Sequence, residues 1–354
     1  MTDALSLTPP GATAALAPWL TAQGEPSYRL RQILPRLWQR PVATWADATD
    51  LPAPLRARLD ADWPLARLGL AARQVSQDGT QKFLWRLPDG EAIESVLIPE
   101  GKRRTLCISS QVGCALGCVF CATGTMGFRR QLTAAEIAGQ VRELVLLDAT
   151  LAPTNVVFMG MGEPLLNWEA VDAALTILNH PDGCGIGARH ITLSTVGILP
   201  SLAQFAARPE QFRLAVSLHA PTHAARLALM PIEKKYGLDQ LLSALAAFKR
   251  RVTLEYVLIA GMNDSIEAAD ALAGVARPLA ALVNLLPLHP GGAPGLTPSP
   301  RAHMLAFERR LKSHGVEAVL RRSRGLDISA ACGQLRVELG PRTKVRPQEH
   351  AHIE

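Results

Sequence analysis

The sequence predicts an α/β protein, a partial (β/α)6 barrel preceded by a small N-terminal helical accessory domain and a hairpin. Three observations carry that expectation. From about residue 105 onward, short β-rich runs alternate with helical patterns, which implies βαβ units with parallel strands and right-handed crossovers. Before residue 100 helical spacing comes first and no such alternation is present. With 354 residues, 48% of them hydrophobic, the chain is long enough to bury one large core with a smaller unit beside it.

In chain order, "YRLRQILPRLWQR" sets Leu30, Ile33, Leu34, Leu37 and Trp38 at helical spacing, and "LPAPLRARLDADW" continues as a second short helix. In "QKFLWRLPDGEAIESVLIPE" two apolar runs flank Pro88-Asp89-Gly90, the pattern of a hairpin. The alternating region then runs TLCIS, NVVFM, HITLS, RLAVS, TLEYVLI and LVNLLPL as strands. Between them lie TAAEIAGQVRELVLL, WEAVDAALTILN, LPSLAQFAA, GLDQLLSALAAFKR and IEAADALAGVA as helices, and VEAVL comes later. Thr133 and Glu136 form a capping box that satisfies exposed N–H groups at the start of the first of these helices. The division that follows is an accessory domain over 1–100, a core over 101–340 and a polar tail over 341–354.

No run of about 18 apolar residues occurs, and "MTDALSLTPPGATAALAPWL" lacks the basic start of a signal peptide, so a cytoplasmic protein without membrane contact is expected. A reducing compartment disfavours a disulfide framework and points the six cysteines toward metal binding or redox chemistry. The net charge of +6 suits a polyanionic partner. The clusters Arg129-Arg130, Lys234-Lys235, Lys249-Arg250-Arg251 and Arg321-Arg322-Ser323-Arg324 are equally explained as solvated faces.

Four cysteines crowd into "CISSQVGCALGCVFC". Cys114, Cys118 and Cys121 form a C-x3-C-x2-C run just beyond the C-terminal end of the first parallel strand, the edge where α/β sites sit. Three thiolates on one loop suit a [4Fe–4S] cluster with one iron left open for a ligand. Structural zinc is the alternative, but it prefers four ligands in C-x2-C pairs, and no second pair is visible.

"CALGCVFC" resembles the CxxxCxxC motif of radical S-adenosylmethionine (SAM) enzymes. The ordered set "CISSQVGCALGCVFCATGTMGFRRQLTAAEI", "NVVFMGMGEPLLN", "ITLSTVG", "AVSLHAP", "PIEKKY" and "RSRGLDISAACGQL" is similar to the RlmN family, which methylates adenine in ribosomal and transfer RNA. The resemblance covers nearly the whole chain. It implies a radical SAM barrel and methylation of adenine carbon 2 in 23S rRNA, at the peptidyl transferase region, and at adenosine 37 of tRNAs. That carbon lies between two ring nitrogens and is too electron-poor to attack a methyl sulfonium, so the family uses a 5′-deoxyadenosyl radical generated from SAM at the cluster.

By resemblance, Cys114, Cys118 and Cys121 hold the cluster, and Cys332 is methylated by one SAM before a second SAM generates the radical on that methyl group, two per turnover. Cys107 matches the thiol that forms a disulfide with Cys332 and frees the product. Glu94 matches the acceptor of the carbon 2 proton; as an isolated residue it would be a solvent-facing carboxylate on an alternating strand. Gly162, Glu163, Ser194, Ser217, Leu218, His219 and His289 match SAM contacts. His289, in "PLHP", stands where the family usually has Asn, and imidazole cannot reproduce both amide functions. Cys184 matches no role and reads as a plain loop or half-buried cysteine.

A reducing partner such as flavodoxin and a monomeric state are further implied. Two other readings stand beside this one: a related enzyme that methylates adenine carbon 8, and a non-catalytic RNA-binding protein with a structural metal. The pair Cys107 and Cys332 argues against the latter, since a structural site needs neither.

Overall fold

In the computed structural model, residues 3–289, 295–335 and 337 are described. Helices α1 (Pro9–Ala22), α2 (Arg29–Leu37) and α3 (Ala53–Asp62) come first, followed by strands β1 (Gly69–Val75), β2 (Gln81–Arg86), β3 (Ala92–Glu100) and β4 (Arg103–Cys107). A small hairpin of β5 (Gln111–Gly113) and β6 (Phe128–Gln131) brackets the short helix α4 (Ala122–Thr125). The alternation then runs α5 (Ala134–Leu147), β7 (Asn155–Phe158), α6 (Trp168–Asn179), β8 (Ile191–Thr195), α7 (Leu199–Ala207) and β9 (Arg213–Ser217). It continues with α8 (His223–Leu229), α9 (Leu238–Ala246), β10 (Val252–Leu258), α10 (Ile266–Ala276), β11 (Leu282–Pro287), α11 (Arg301–Ser313) and β12 (Ala318–Leu320).

Ten strands form one open sheet in the order β1-β2-β3-β4-β7-β8-β9-β10-β11-β12. From β1 to β4 the pairing is antiparallel; from β4 to β12 it is parallel. The hairpin expected around Pro88-Asp89-Gly90 is β2–β3, which pairs Arg86 with Ala92. Among the residues of β7 to β11 only Arg213 is exposed, which is why these strands read as apolar runs. The capping box of α5 is present, with Thr133 and Glu136 each accepting from the other's backbone N–H.

Four elements carry no clear sequence pattern. Helix α1 is Ala-rich and contains Pro18, yet Thr8 caps it and Ala12, Leu16 and Leu20 bury one stripe. All seven residues of β1 are exposed, so burial gives it no alternation; it exists through pairing with β2. Strands β5 and β6 are too short for a period to show.

The N-terminal helices are fastened to α5 by a charge inside the core. The Arg142 guanidinium is fully buried, and it donates to the carbonyls of Leu37 (2.8 Å) at the end of α2 and Val42 (2.6 Å) beyond it and pairs with Glu143 (3.2 Å). Glu143 also takes Arg67 at 2.6 Å, so both charges are satisfied where an unpaired one would cost several kcal/mol. Apolar packing runs continuously from Leu16 and Trp45 into the barrel. Among the described residues no helix is long and apolar enough to cross a membrane. The polar tail expected over 341–354 lies outside the described residues.

Candidate active site

The loops at the C-terminal ends of the parallel strands enclose an open cavity lined by cysteines of the loop after β4 and by residues from β8, β9, β10 and β11. Register places six polar side chains on one face of the sheet, of which Ser194, Ser217 and Glu255 line the cavity. Cys107 lies opposite Val96, two residues from Glu94, and beside Val157 on β7. Val157 aligns with Thr192, two before Ser194; Ser194 aligns with Ala215, two before Ser217; and Ser217, Glu255 and Asn284 align across β9, β10 and β11. Because strand side chains alternate, Glu94, Cys107, Ser194, Ser217, Glu255 and Asn284 share one face of the sheet.

A buried polar network shapes the first loop. Ser109 donates its hydroxyl to the Glu94 carbonyl (2.6 Å) and accepts from Met161 N–H (2.9 Å), while the Gln140 amide of α5 bonds both the N–H and the carbonyl of Ser109 (2.9 Å each). The loop after β7 then passes so close that only glycine fits: a Cβ at Gly160 would sit 2.6 Å from the Ile108 carbonyl oxygen. At Gly162, whose φ is +98°, it would sit 2.5 Å from Gln111 Cβ.

Cys114, Cys118 and Cys121 all line the cavity. Burial raises the cost of ionising two of them: it pushes the Cys114 thiol up to about 12 and the Cys118 thiol also upward, the latter reinforced by its two neighbouring cysteines. Such thiols become good ligands only against a strong local positive charge. Among the described residues no three His, Cys, Asp or Glu side chains converge enough to hold a single metal ion. Thiols spread around a cavity suit a cluster, where each sits on a different iron, better than one tetrahedral zinc. The residues therefore fit a [4Fe–4S] group.

The candidate SAM contacts surround the same space, with two refinements. Glu163 lines the cavity, but its carboxylate is occupied: it accepts from Thr195 Oγ1 (2.6 Å), Leu165 N–H (3.0 Å) and Val196 N–H (2.9 Å). Its side chain joins the β7 and β8 loops, and burial lifts its carboxyl to about 7. Leu218 points into the core and does not line the cavity; its N–H and that of His219 both bond the Glu255 carbonyl. Gly162, Ser194, Ser217, His219 and His289 do line it.

His219 adopts φ +57°, a conformation rare for a residue with a Cβ. Burial, then Arg226, pushes its imidazole down to about 3, so it is neutral. Nδ1 accepts from Val257 N–H (3.0 Å), which leaves the proton on Nε2, and the ring meets Phe120 of the cluster loop edge-on at 4.5 Å. The His289 ring bonds Ser323 through Nε2 (2.6 Å), so imidazole here ties the β11 loop to the C-terminal segment.

That segment carries Cys332 into the cavity wall. It is pinned to the cluster loop, where Ala122 N–H bonds Gly333 O (2.8 Å) and Thr123 Oγ1 bonds Leu335 O (2.8 Å). On its other side the β1–β2 turn holds it: Asp327 accepts from Ser76 Oγ (2.5 Å) and Gln77 N–H (3.1 Å), and Asp78 accepts from Gly325 N–H (3.0 Å). Cys332 has accessible surface because it borders the open cavity, yet protein surrounds it closely enough that desolvation, then Glu255, raises its thiol pKa. Cys107 is buried; desolvation, then the nearby Cys332, raises its thiol pKa too. All six cysteines are free thiols.

Glu94 is buried behind the cavity wall, with Lys82 Nζ 3.2 Å from its Oε1, and the same ammonium lies 3.5 Å from the Ser329 carbonyl of the Cys332 segment. Cys184 is half-buried and does not line the cavity.

Sequence reasoning missed Glu255. It is buried in the cavity wall, Asn284 Nδ2 donates to its Oε1 (2.9 Å), and burial raises its carboxyl to about 7. The available signal was a carboxylate in the middle of the otherwise apolar run TLEYVLI.

A family model of the Radical SAM superfamily matches residues 108–273. A protein of Gemmatimonas aurantiaca named probable dual-specificity RNA methyltransferase RlmN is 55% identical over 352 residues, 99% of this chain and 98% of that one. The dual-specificity RNA methyltransferase RlmN of Anaeromyxobacter sp. is 46% identical over 340 residues, 93% of this chain and 90% of that one. The crystal structure of a radical SAM methyltransferase from Sphaerobacter thermophilus aligns with a TM-score of 0.89 at 42% identity, covering 96% of this chain and all of that one.

Proposed function

Because the chain belongs to the RlmN family of radical SAM RNA methyltransferases, we propose that it methylates carbon 2 of adenine in 23S rRNA and at adenosine 37 of tRNAs. That it is a SAM-dependent methyltransferase follows from the family itself. The observation that supports the finer reading is the meeting of Cys332 with the three cluster cysteines on one cavity, with Cys107 near Cys332.

When bound, a [4Fe–4S] cluster on Cys114, Cys118 and Cys121 and two SAM molecules per turnover supply an electrophilic methyl group and one-electron hydrogen abstraction. Gly162 admits SAM close to the backbone, and Ser194, Ser217, His219 and His289 orient it. The Cys332 thiol takes the methyl group and presents that carbon to adenine, which forms a covalent link between protein and RNA. Glu94, on the same sheet face as Cys107, receives the proton lost from carbon 2. The Cys107 thiol loses its proton and its sulfur attacks the Cys332 sulfur; the carbon–sulfur bond breaks with its electron pair going to the adenine-bound carbon, which takes up a proton and becomes the methyl group, and a disulfide remains.

Residues 1–100 act as an accessory RNA-binding unit on the methyltransferase core of 101–340. The protein works as a cytoplasmic monomer, with a reductant such as flavodoxin supplying electrons. Chromatographically resolved mass spectrometry of nucleosides from rRNA and tRNA treated with the reconstituted enzyme tests the assignment: 2-methyladenosine is the expected product. Formation of 8-methyladenosine, or no methylated adenosine, would overturn it.

A further inference from the structure

The "MGFRR" stretch forms the outer strand of the β5–β6 hairpin, and its role is not exhausted by the chemistry above. The hairpin is joined to the cluster loop at its root: Phe128 pairs with Gly113, and Cys114 N–H bonds the Gly127 carbonyl (3.0 Å). A Cβ at Gly113 would lie 1.8 Å from that carbonyl oxygen, so the contact demands glycine. Phe128 therefore stands one strand spacing from the residue that precedes the first cavity-lining cysteine.

The two arginines of the motif do different work. Arg130 is a strut: it bonds Asp89 on the β2–β3 turn (2.6 Å) and both oxygens of Glu136 at the start of α5 (2.8 Å each). Gln131 adds a bond to the Leu166 carbonyl (2.7 Å). Those bonds hold the hairpin rigid, and what the rigid hairpin displays is Phe128 and Arg129. The Phe128 ring is 42% exposed, and Arg129 is exposed with no hydrogen bond or ion pair among the described residues. A ring held in place and open to solvent is a ready stacking surface, because every nucleobase has a π-face to lay against it. The register shifts here, with Val112 pairing Arg130 and Gly113 pairing Phe128, so Arg129 is the extra residue of a bulge, outside the regular alternation, and its uncommitted guanidinium beside the ring suits a partner that is planar and anionic. Stacked bases with their phosphates have both properties.

Resting on the RNA methyltransferase reading, we propose that Phe128 and Arg129 form a nucleotide-docking point beside the active-site mouth. There an unpaired base flanking the target adenine stacks on the Phe128 ring while Arg129 contacts the neighbouring phosphate. Extruding the target unstacks its neighbour, and a platform on the rim recovers that stacking.

The test measures binding of an unmodified tRNA anticodon stem-loop transcript to the holoenzyme by fluorescence anisotropy across a salt series. Phe128→Leu keeps an apolar side chain without a ring and should weaken binding by about 5- to 100-fold, while Phe128→Trp restores it. Arg129→Ala should weaken binding and lower the salt slope by about one counterion. Iron content and SAM cleavage without RNA should be unchanged in all three. Equal binding by Phe128→Leu, or failure of Trp to rescue it, overturns the docking point while leaving the enzyme assignment intact. If the unsubstituted holoenzyme itself binds no RNA, the functional reading and the docking point fall together.

Discussion

Glu233 and Arg226 form an ion pair with both side chains at 0% exposure, and its removal offers a calibrated perturbation of the site. Glu233 also accepts from His223 Nδ1 (2.8 Å) and from Leu238 N–H at the start of α9 (2.8 Å), and Arg226 donates to the Val196 carbonyl on the cavity wall (2.8 Å). Glu233→Ala leaves a guanidinium uncompensated in a dry site, about 3–5 kcal/mol, and orphans the Leu238 N–H, about 1–3 kcal/mol. Because neighbouring effects overlap, the expected total is about 4–6 kcal/mol, a large part of the roughly 5–15 kcal/mol that holds a domain folded. Urea unfolding of the apoprotein under reducing, anaerobic conditions reads this directly. The double variant Arg226→Met/Glu233→Leu removes both charges and should recover about 2 kcal/mol or more relative to Glu233→Ala. Val119 N–H, in the cluster loop, bonds the Leu229 carbonyl at the end of α8, so iron retention should fall with stability in the single variant. A cost below about 1 kcal/mol, or a double variant worse than the single, would refute the reasoning.

Glu255 is held near 7 by burial, so the folded chain keeps a proton that the unfolded chain releases above about 4.5. The native state then binds more protons across that window, and its stability falls as pH rises through it by about 3 kcal/mol. Glu255→Gln removes the effect, so urea denaturation should show the stability difference moving in the variant's favour by that amount between pH 4.5 and 8; a flat difference contradicts the burial argument. Asp327→Ala releases the Cys332 segment from the β1–β2 turn, so intact-mass analysis should show Cys332 methylation reduced several-fold with iron content unchanged, whereas unaltered methylation would show that the turn does not position the thiol.

Much of the architecture was legible because the physics that forms it is local. β10 is buried at every position but Thr253 and reads as an apolar run, and the α5 cap is a four-residue signal. β1 was not legible, since none of its residues is buried and its pairing partner supplies its only order. Within the site, spacing alone marked Cys114, Cys118 and Cys121. Cys107 and Cys332 are far apart in sequence and meet through the sheet register and the clamped C-terminal segment, so only family resemblance pointed to them. Glu163 shows what the pattern does not reveal: it lines the cavity as expected, while its carboxylate ties the β7 and β8 loops together through Thr195, Leu165 and Val196. The Arg129-Arg130 cluster likewise divides into one free cation and one internal strut.

The central claim is that Cys332 carries carbon to adenine and Cys107 frees it, and a denaturing gel of enzyme incubated with SAM, reductant and labelled tRNA tests it most directly. Cys107→Ala keeps the carrier and loses the resolving thiol, so a protein–RNA crosslink should accumulate in that variant and be absent from Cys332→Ala and from the double variant, with iron bound in all three. Normal turnover by Cys107→Ala, or a crosslink that survives loss of Cys332, would contradict the account.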